Sequence, residues 1–272
     1  MEYGIANYHG QVSQNEVKKI LDLCFKNGIF SIDTAKAYGN SEQTLGHYIK
    51  KNYSNSWEII TKTSTLKYSL INQYKDSKEA LSISPRGILA HSSKLFLKKE
   101  FQNQLHELLK KYPDLKIGVS VYTKDEILNV LNCRKNIDII QIPINIIDTR
   151  LYHDGTLKML HEQGIKIFAR SVFLQGLFFL NKEQLKSRFK VMFPAIEKLQ
   201  IIAKKSDLTL SELSLLWVFN LKEIYKLIIG VDTHFQLQNN IDSLKKEVNP
   251  DIFNESLSVK FNVDNFLNPS MW

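Results

Sequence analysis

From Glu16 to Glu247 short apolar runs alternate with longer amphipathic ones, and this alternation constrains the fold more than any other feature of the chain. Strands are predicted at 30–34, 57–63, 87–91, 116–122, 137–142, 165–173 and 227–231. Between them helical spacing predicts helices at 16–27, 41–50, 96–111, 124–131, about 155–163, 193–204, 211–220 and 235–247, while 66–80 is less regular and partly helical. The first helix shows the signals in full: apolar Val17, Ile20, Leu21, Leu23 and Cys24 on one face, Ser13 as N-cap and Gly28 as stop. Strands of about four to eight residues alternating with helices of about ten to fifteen make βα units and a parallel sheet. The strands are apolar on both faces, as parallel strands covered by helices must be.

The regularity favours a closed barrel over an open sheet, which usually carries a glycine-rich turn after its first strand. No G-x-G-x-x-G and no G-x-x-x-x-G-K-[ST] occurs here. The expected fold class is therefore α/β, a (β/α)8 TIM barrel forming a single domain over residues 1–272, N-terminally truncated so that seven parallel strands are identifiable. An eighth strand is not found, because the chain begins with a loop and a helix. A seven-stranded barrel leaves an edge to be plugged.

Composition bounds the function. The 43% hydrophobic content supports a substantial core, and no apolar stretch approaches the roughly 18 residues of a membrane span. No basic-then-apolar leader opens the chain, and Cys24 and Cys133 lie far apart in helix-like contexts, so a cytoplasmic protein with reduced, buried thiols is expected. The net charge of +8 comes from lysines scattered over helix faces, as in Lys18-Lys19, Lys50-Lys51, Lys110-Lys111 and Lys245-Lys246. That pattern reads as a solvated surface with no nucleic-acid platform, though its positive field would favour an anionic ligand. His9, His47, His106, His153, His161 and His234 form no metal-ligand spacing with cysteines or acids, so no metal is expected.

In a parallel barrel, function gathers where the strands end. The strand ends carry Asp33, Lys62, His91, Ser120, Gln141 with Asn145, Ser171, and Gly230 with Asp232; Tyr38 follows Asp33 in a tight glycine-containing loop. A free phenol, with a pKa of about 10, is a poor acid at neutral pH. An ammonium at Lys62 would stabilise the phenolate of Tyr38, and Asp33 would hold that ammonium charged and in place. Tyr38 could then protonate an oxygen gaining negative charge, with His91 hydrogen-bonded to the same oxygen. This is apparatus for reducing a carbonyl. Side chains supply no hydride, so a nicotinamide cofactor is required. Taken singly, each residue has a structural reading: a cap or ion-pair partner for Asp33, a packed aromatic for Tyr38, a paired interior cation for Lys62, a core histidine for His91.

The run Ile32-Asp-Thr-Ala-Lys-Ala-Tyr-Gly-Asn-Ser-Glu42 with Leu45-Gly46 resembles the signature of the aldo-keto reductases. The likeness continues through Ile60-Thr-Lys62, Leu89-Ala-His91, Gly118-Val-Ser120, Gln141-Ile-Pro-Ile-Asn145 and Ile229-Gly230-Val with Gln236-Leu237 and Asn240. It implies an NAD(P)H-dependent oxidoreductase reducing an aldehyde, ketone or sugar carbonyl on a small molecule, with Asp33, Tyr38, Lys62 and His91 as catalytic tetrad and no metal. The cofactor, NADP(H) or NAD(H), would be held by Ser120, Gln141, Arg170, Ser171, Leu174, Gly176, Gly230, Gln236 and Asn240. Tyr3-Gly-Ile-Ala-Asn7 and Arg170-Ser-Val-Phe-Leu-Gln-Gly176 resemble a bacterial subgroup often associated with sugar and surface-polysaccharide pathways.

The chain departs from the family pattern in three places. The family's opening strand, with its glycine-rich turn, does not precede Tyr3. Val121 stands where an asparagine commonly helps hold the nicotinamide, and Arg170 stands where an aromatic often stacks on it. The basic residues that hold the NADP 2′-phosphate in many members are not evident around Gly230 to Asn240, where Asp232 would repel a phosphate. The alternative reading is a non-catalytic nicotinamide-cofactor-binding or interaction protein on the same fold, because fold does not fix function.

Overall fold

The computed structural model describes residues 5, 10–51, 56–134, 136–261 and 263–268. Its contacts divide the chain into two compact units, with the boundary between Ile142 and Pro143; Ile5 and residues 10–12 belong with the second. The fold is of the (β/α)-barrel class, and the described residues form seven parallel strands in chain order with helices between them.

The first unit runs α1 (Gln14–Lys26), β1 (Ser31–Asp33), α2 (Ser41–Lys51), β2 (Glu58–Thr63), α3 (Leu70–Leu81), β3 (Gly87–Ala90), α4 (Ser93–Phe96), α5 (Lys99–Lys111), β4 (Lys116–Ser120), α6 (Lys124–Cys133) and β5 (Ile139–Pro143). Each strand pairs in parallel with the next, with Ile32 beside Ile59, Lys62 beside Leu89 and Ser120 beside Gln141. The register decides which side chains meet the helices. Ile32 and Ile59 pack with Leu21, Tyr48, Ile49, Trp57 and Leu81 in a core under α1, α2 and α3. Two residues on from Ile59, Thr61 donates a hydrogen bond to Glu42 of α2. Side chains alternate along a strand, so Asp33 and Lys62 point away from this helix-side core.

Local chemistry fixes the ends. Ser13 caps α1 by accepting from the backbone N–H of Glu16, and Gly28 takes a left-handed φ of 71° after the helix. The stretch that looked irregular resolves into α3, a full helix capped by Ser69. The Gln73 side chain accepts from Thr63 and donates to the carbonyls of Thr65 and Tyr68, so it is spent on pinning the preceding loop. The helix expected at 96–111 is two, α4 and α5, because Leu97 and Lys98 break between them. Helix α2 lies so close to the end of α3 that a Cβ on Gly46 would sit 1.9 Å from the carbonyl oxygen of Ala80.

The second unit runs α7 (Arg150–His153), α8 (Thr156–Glu162), β6 (Lys166–Arg170), a 3-10 segment (Leu174–Phe179), α9 (Lys182–Arg188), α10 (Phe193–Lys204), α11 (Leu210–Phe219), β7 (Ile224–Leu227), α12 (His234–Ser243), α13 (Asp251–Leu257) and α14 (Asp264–Leu267). Strands β6 and β7 are parallel, with a register irregularity between Ile167 and Phe168. Three expectations are corrected. Cys133, the last residue of α6, is exposed rather than buried, and Cys24 is only partly buried. The last strand is Ile224–Leu227, not 227–231, so Gly230 and Asp232 lie in the loop that follows it. Strand β6 ends at Arg170, because Ser171 (φ 60°) turns left-handed and breaks the extended run. The expected ordered tail at 254–272 is helical at α13 and α14 as far as it is described; its last four residues lie outside the described ones. Among the described residues no helix is long and apolar enough to cross a membrane.

Candidate active site

In the first unit the sequence candidates converge. Asp33 ends β1 and Lys62 lies one residue before the end of β2, and the Lys62 ammonium donates to Asp33 Oδ2. Lys62 is 2% exposed and also donates to the carbonyl of Thr34 (3.2 Å). A buried cation is tolerable only when paired and hydrogen-bonded, and both conditions hold. The Lys62 Nζ lies 5.2 Å from the centre of the Tyr38 ring, and the rings of Tyr38 and His91 meet edge-on at 6.0 Å between centroids. Phenol, imidazole, ammonium and carboxylate thus form one cluster.

The loop between β1 and α2 aims Tyr38. Ala35 accepts from the Tyr38 N–H, Tyr38 accepts from the Ser41 N–H, and Gly39 supplies a φ of 61° that a side chain would strain. Thr34 and Ser41 share a side-chain hydrogen bond of 3.0 Å across this turn. Glu42, buried at the start of α2, receives the Thr61 hydroxyl at 2.6 Å and ties helix to strand. The signature run therefore divides its labour: Asp33 and Tyr38 face the cluster, whereas Thr34, Ser41 and Glu42 hold the turn. His91 follows β3 directly, its N–H donating to Thr63.

Gln141 was expected to hold the cofactor. Its Nε2 donates to Asp33 Oδ1 at 2.9 Å, so both oxygens of Asp33 are engaged, one by Lys62 and one by Gln141. No sequence signal separates this link from a cofactor contact, because Asp33 and Gln141 are 108 residues apart. Ser120, buried at the end of β4, stands beside Gln141 in the register.

The second unit holds a cavity of about 330 Å³. Of the expected cofactor residues, Ser171, Gly176, Gly230, Gln236 and Asn240 line it. Leu174 is fully buried beneath the loop, and Arg170 donates from Nη1 to the hydroxyl of Ser171 (3.2 Å). The wall after β6 is backbone under strain. Ser171 (φ 60°), Leu174 (φ 46°) and Gln175 (φ 57°) are all left-handed without being glycine, and Gly176 follows at 90°. Such conformations persist only where the surroundings over-determine them. Here the surroundings are fully buried polar side chains. Asn145 donates to the Ser171 carbonyl (3.1 Å), and Ser214 of α11 donates to the Val172 carbonyl (2.8 Å). Asn145 is itself held by the N–H groups of Ile147 and Asp148, and Ser214 by that of Ile146. Ile5 donates to the Gln175 carbonyl at 2.8 Å; the rest of the 3–7 phrase, like His9, lies outside the described residues. Neither the strain nor Ser214 announces itself in the sequence.

The opposite wall is the loop from Ile228 to Asp232 and the start of α12, which Thr233 caps by accepting from the Gln236 N–H. Gln236 returns its Oε1 to the N–H of Asp232 at 2.7 Å, fixing that loop on the helix. The cavity offers amide and hydroxyl side chains, strained backbone and apolar patches at Phe173, Phe179 and Ile229. Such a mixture suits a nucleotide, which needs both hydrogen bonds and flat contact area. Among the described residues no group of three or more His, Cys, Asp or Glu side chains could hold a metal ion.

The model of the aldo/keto reductase family matches residues 1–259. An aldo-keto reductase from Bacillus halodurans, AKR11C1 in its holo form, superposes with a TM-score of 0.76 at 19% identity, over 93% of this chain and 90% of that one. The glycerol dehydrogenase AKR11B4 from Gluconobacter oxydans superposes with a TM-score of 0.69 at 17% identity, over 90% and 84% respectively. A search of curated proteins finds no match. With a family match over nearly its whole length and the same architecture in the solved structures, this chain belongs to the aldo/keto reductases, NAD(P)H-dependent oxidoreductases.

Proposed function

We propose that the chain reduces an aldehyde, ketone or sugar carbonyl to the alcohol, with Tyr38 as the proton donor and Lys62, Asp33 and His91 supporting it. The observation that carries this reading is the junction of the buried, doubly anchored Lys62 with the Tyr38 ring and with His91. A nicotinamide cofactor, when bound, would supply the hydride that the side chains cannot. The chain's residues do the rest. As the carbonyl oxygen gains charge, Tyr38 delivers a proton to it, and the ammonium of Lys62 steadies the phenolate left behind. His91 hydrogen-bonds the same oxygen and orients the substrate. Asp33, gripped by Lys62 and Gln141, keeps the ammonium charged in a site with little water.

The polar cavity of the second unit, lined by Ser171, Gly176, Gly230, Gln236 and Asn240, is proposed to hold part of the cofactor. Its amide side chains, fixed backbone and apolar patches suit the sugar and base of a nucleotide. The substrate is proposed to be a small molecule and the protein cytoplasmic, without a nucleic-acid partner.

The test is loss of absorbance at the reduced-nicotinamide band with an aromatic aldehyde, using Tyr38→Phe beside the parent. Turnover is expected to fall by at least about a hundredfold in the variant, while cofactor binding stays within about twofold. Equal turnover in the two proteins would remove Tyr38 from its role.

A further inference from the structure

We infer that a second cavity of the second unit, between α10 and the chain after α13, binds an aliphatic carboxylate of roughly twelve carbons. The cavity measures about 520 Å³, within the range of about 300–1,000 Å³ that small-molecule sites occupy. It shares no lining residue with the cavity beside the 171–176 loop, and none of Asp33, Tyr38, Lys62 and His91 lines it. Its floor is a face of α10. Pro194, Lys198, Ile201 and Lys205 recur at spacings of three and four, so they stand in one row along the helix. A surface helix needs one apolar face to pack, and α10 already has one in the buried Ile196, Leu199 and Ala203. The second row is left open: Ile201 is 58% exposed, and Val191, just ahead of the helix, is 52% exposed. Val259 and Phe261, which follow α13, form the facing wall and make a groove of what would otherwise be scattered surface residues.

Charge decides what enters. Lys198, Lys205 and Lys260 line the groove, and among the described residues Glu255 is the only acid that does. Glu255 is spent on Lys205, with which it forms an ion pair. Glu197, the neighbour of Lys198, is taken by Lys182 at 2.7 Å. Among the described residues no carboxylate pairs with Lys198 or Lys260. Two ammonium groups therefore stand beside apolar surface without a counter-charge. A carboxylate on an aliphatic tail satisfies both parts: the head takes charge-assisted hydrogen bonds, and the tail removes the apolar wall from water. Pro194 and Lys205 lie about 16 Å apart along the helix, the reach of roughly a twelve-carbon chain. A second copy of the chain fits less well, because self-pairing of this face would set its lysines against one another.

Isothermal titration of the parent protein with dodecanoate, butanoate and dodecyltrimethylammonium, each below its micellar concentration, tests the site. Dodecanoate should bind with a dissociation constant below about 100 μM, and butanoate and dodecyltrimethylammonium at least about tenfold more weakly, one lacking the tail and the other the charge. Ile201→Asp should weaken dodecanoate by at least about tenfold. Lys198→Glu with Lys260→Glu should weaken it by about fivefold or more and tighten dodecyltrimethylammonium. All three positions are exposed, so the variants should keep the far-UV circular dichroism of the parent. Dodecanoate held equally by the parent and Ile201→Asp would overturn the site, and dodecyltrimethylammonium held by the parent as tightly as dodecanoate would overturn the role of the lysines. Two further results would give the groove another occupant and overturn the proposal: binding to anionic vesicles without binding of monomeric dodecanoate, and a dimer of the parent, lost in Ile201→Asp, that binds no dodecanoate.

Discussion

Asp33 and Gln141 show what a single side chain can conceal. A strand-end glutamine reads from sequence as a cofactor ligand, and one of its two amide N–H groups donates to Asp33. The two roles predict different losses. If Gln141 positions Asp33, Gln141→Leu leaves one oxygen of a nearly buried carboxylate without its hydrogen bond and lets the Lys62 pair reorient. Such a loss costs about 1–3 kcal/mol, seen as roughly a tenfold or greater fall in kcat with the cofactor dissociation constant nearly unchanged. Gln141→Glu should be worse, because it sets a second carboxylate against the first. A raised cofactor dissociation constant with kcat preserved would show that Gln141 serves the cofactor instead. The clustering of Asp33, Lys62 and His91 was legible in the sequence because they fall at the ends of consecutive strands, with Tyr38 in the loop after the first; their catalytic roles are the proposal. The Gln141 link was not, because a contact across 108 residues is a property of the register.

At the scale of elements, most helices and strands were legible because caps and apolar periodicity are local. The exceptions have physical reasons. The last strand was expected at 227–231 because Leu227-Ile-Ile is more apolar than what precedes it, but Ile224 to Leu227 pair with β6 and the apolar residues beyond line the cavity. The α3 region looked irregular because its polar residues, Gln73 above all, are turned to loop-pinning work. Gly46 is the reverse case, a signature residue whose purpose is packing alone. Gly46→Ala improves intrinsic helix propensity, yet the new Cβ would collide with the backbone of Ala80 and Leu81. We expect a net destabilisation of about 2–3 kcal/mol from forced separation of α2 and α3, read as a lower urea midpoint with an unchanged slope.

Glu212 makes a second prediction at this scale. It closes the capping box of α11 with Thr209 and receives Lys246 at 2.7 Å and Ser243 at 3.2 Å. Burial alone would raise its pKa, but hydrogen bonds from Lys246 and from the backbone and side chain of Thr209, with the Lys246 charge, outweigh it and hold the carboxyl below its usual range. A depressed folded pKa means stability that is present above the unfolded value and lost as pH falls through the folded one. Acid unfolding of the parent should therefore begin below about pH 5, and Glu212→Gln should flatten that limb while lowering stability at neutral pH. An unchanged acid limb would show that Glu212 is not a principal acid-sensitive link.

Across the whole molecule electrostatics acts on an anionic ligand at long range. The net charge of +8 is spread over lysines on many helices, so it acts as a field rather than as a site. A field of this kind attracts any anionic dinucleotide and speeds its arrival, the more so the greater the ligand's charge. Salt tests the effect, because screening acts over about 30 Å at 0.01 M and about 10 Å at 0.1 M. Stopped-flow quenching of protein fluorescence should show the association rates of both NADH and NADPH falling as salt rises between these concentrations, with NADPH falling more steeply. Association rates that stay level as salt rises would show that charge spread this thinly does not steer the dinucleotide, and that its capture is decided by short-range contacts alone.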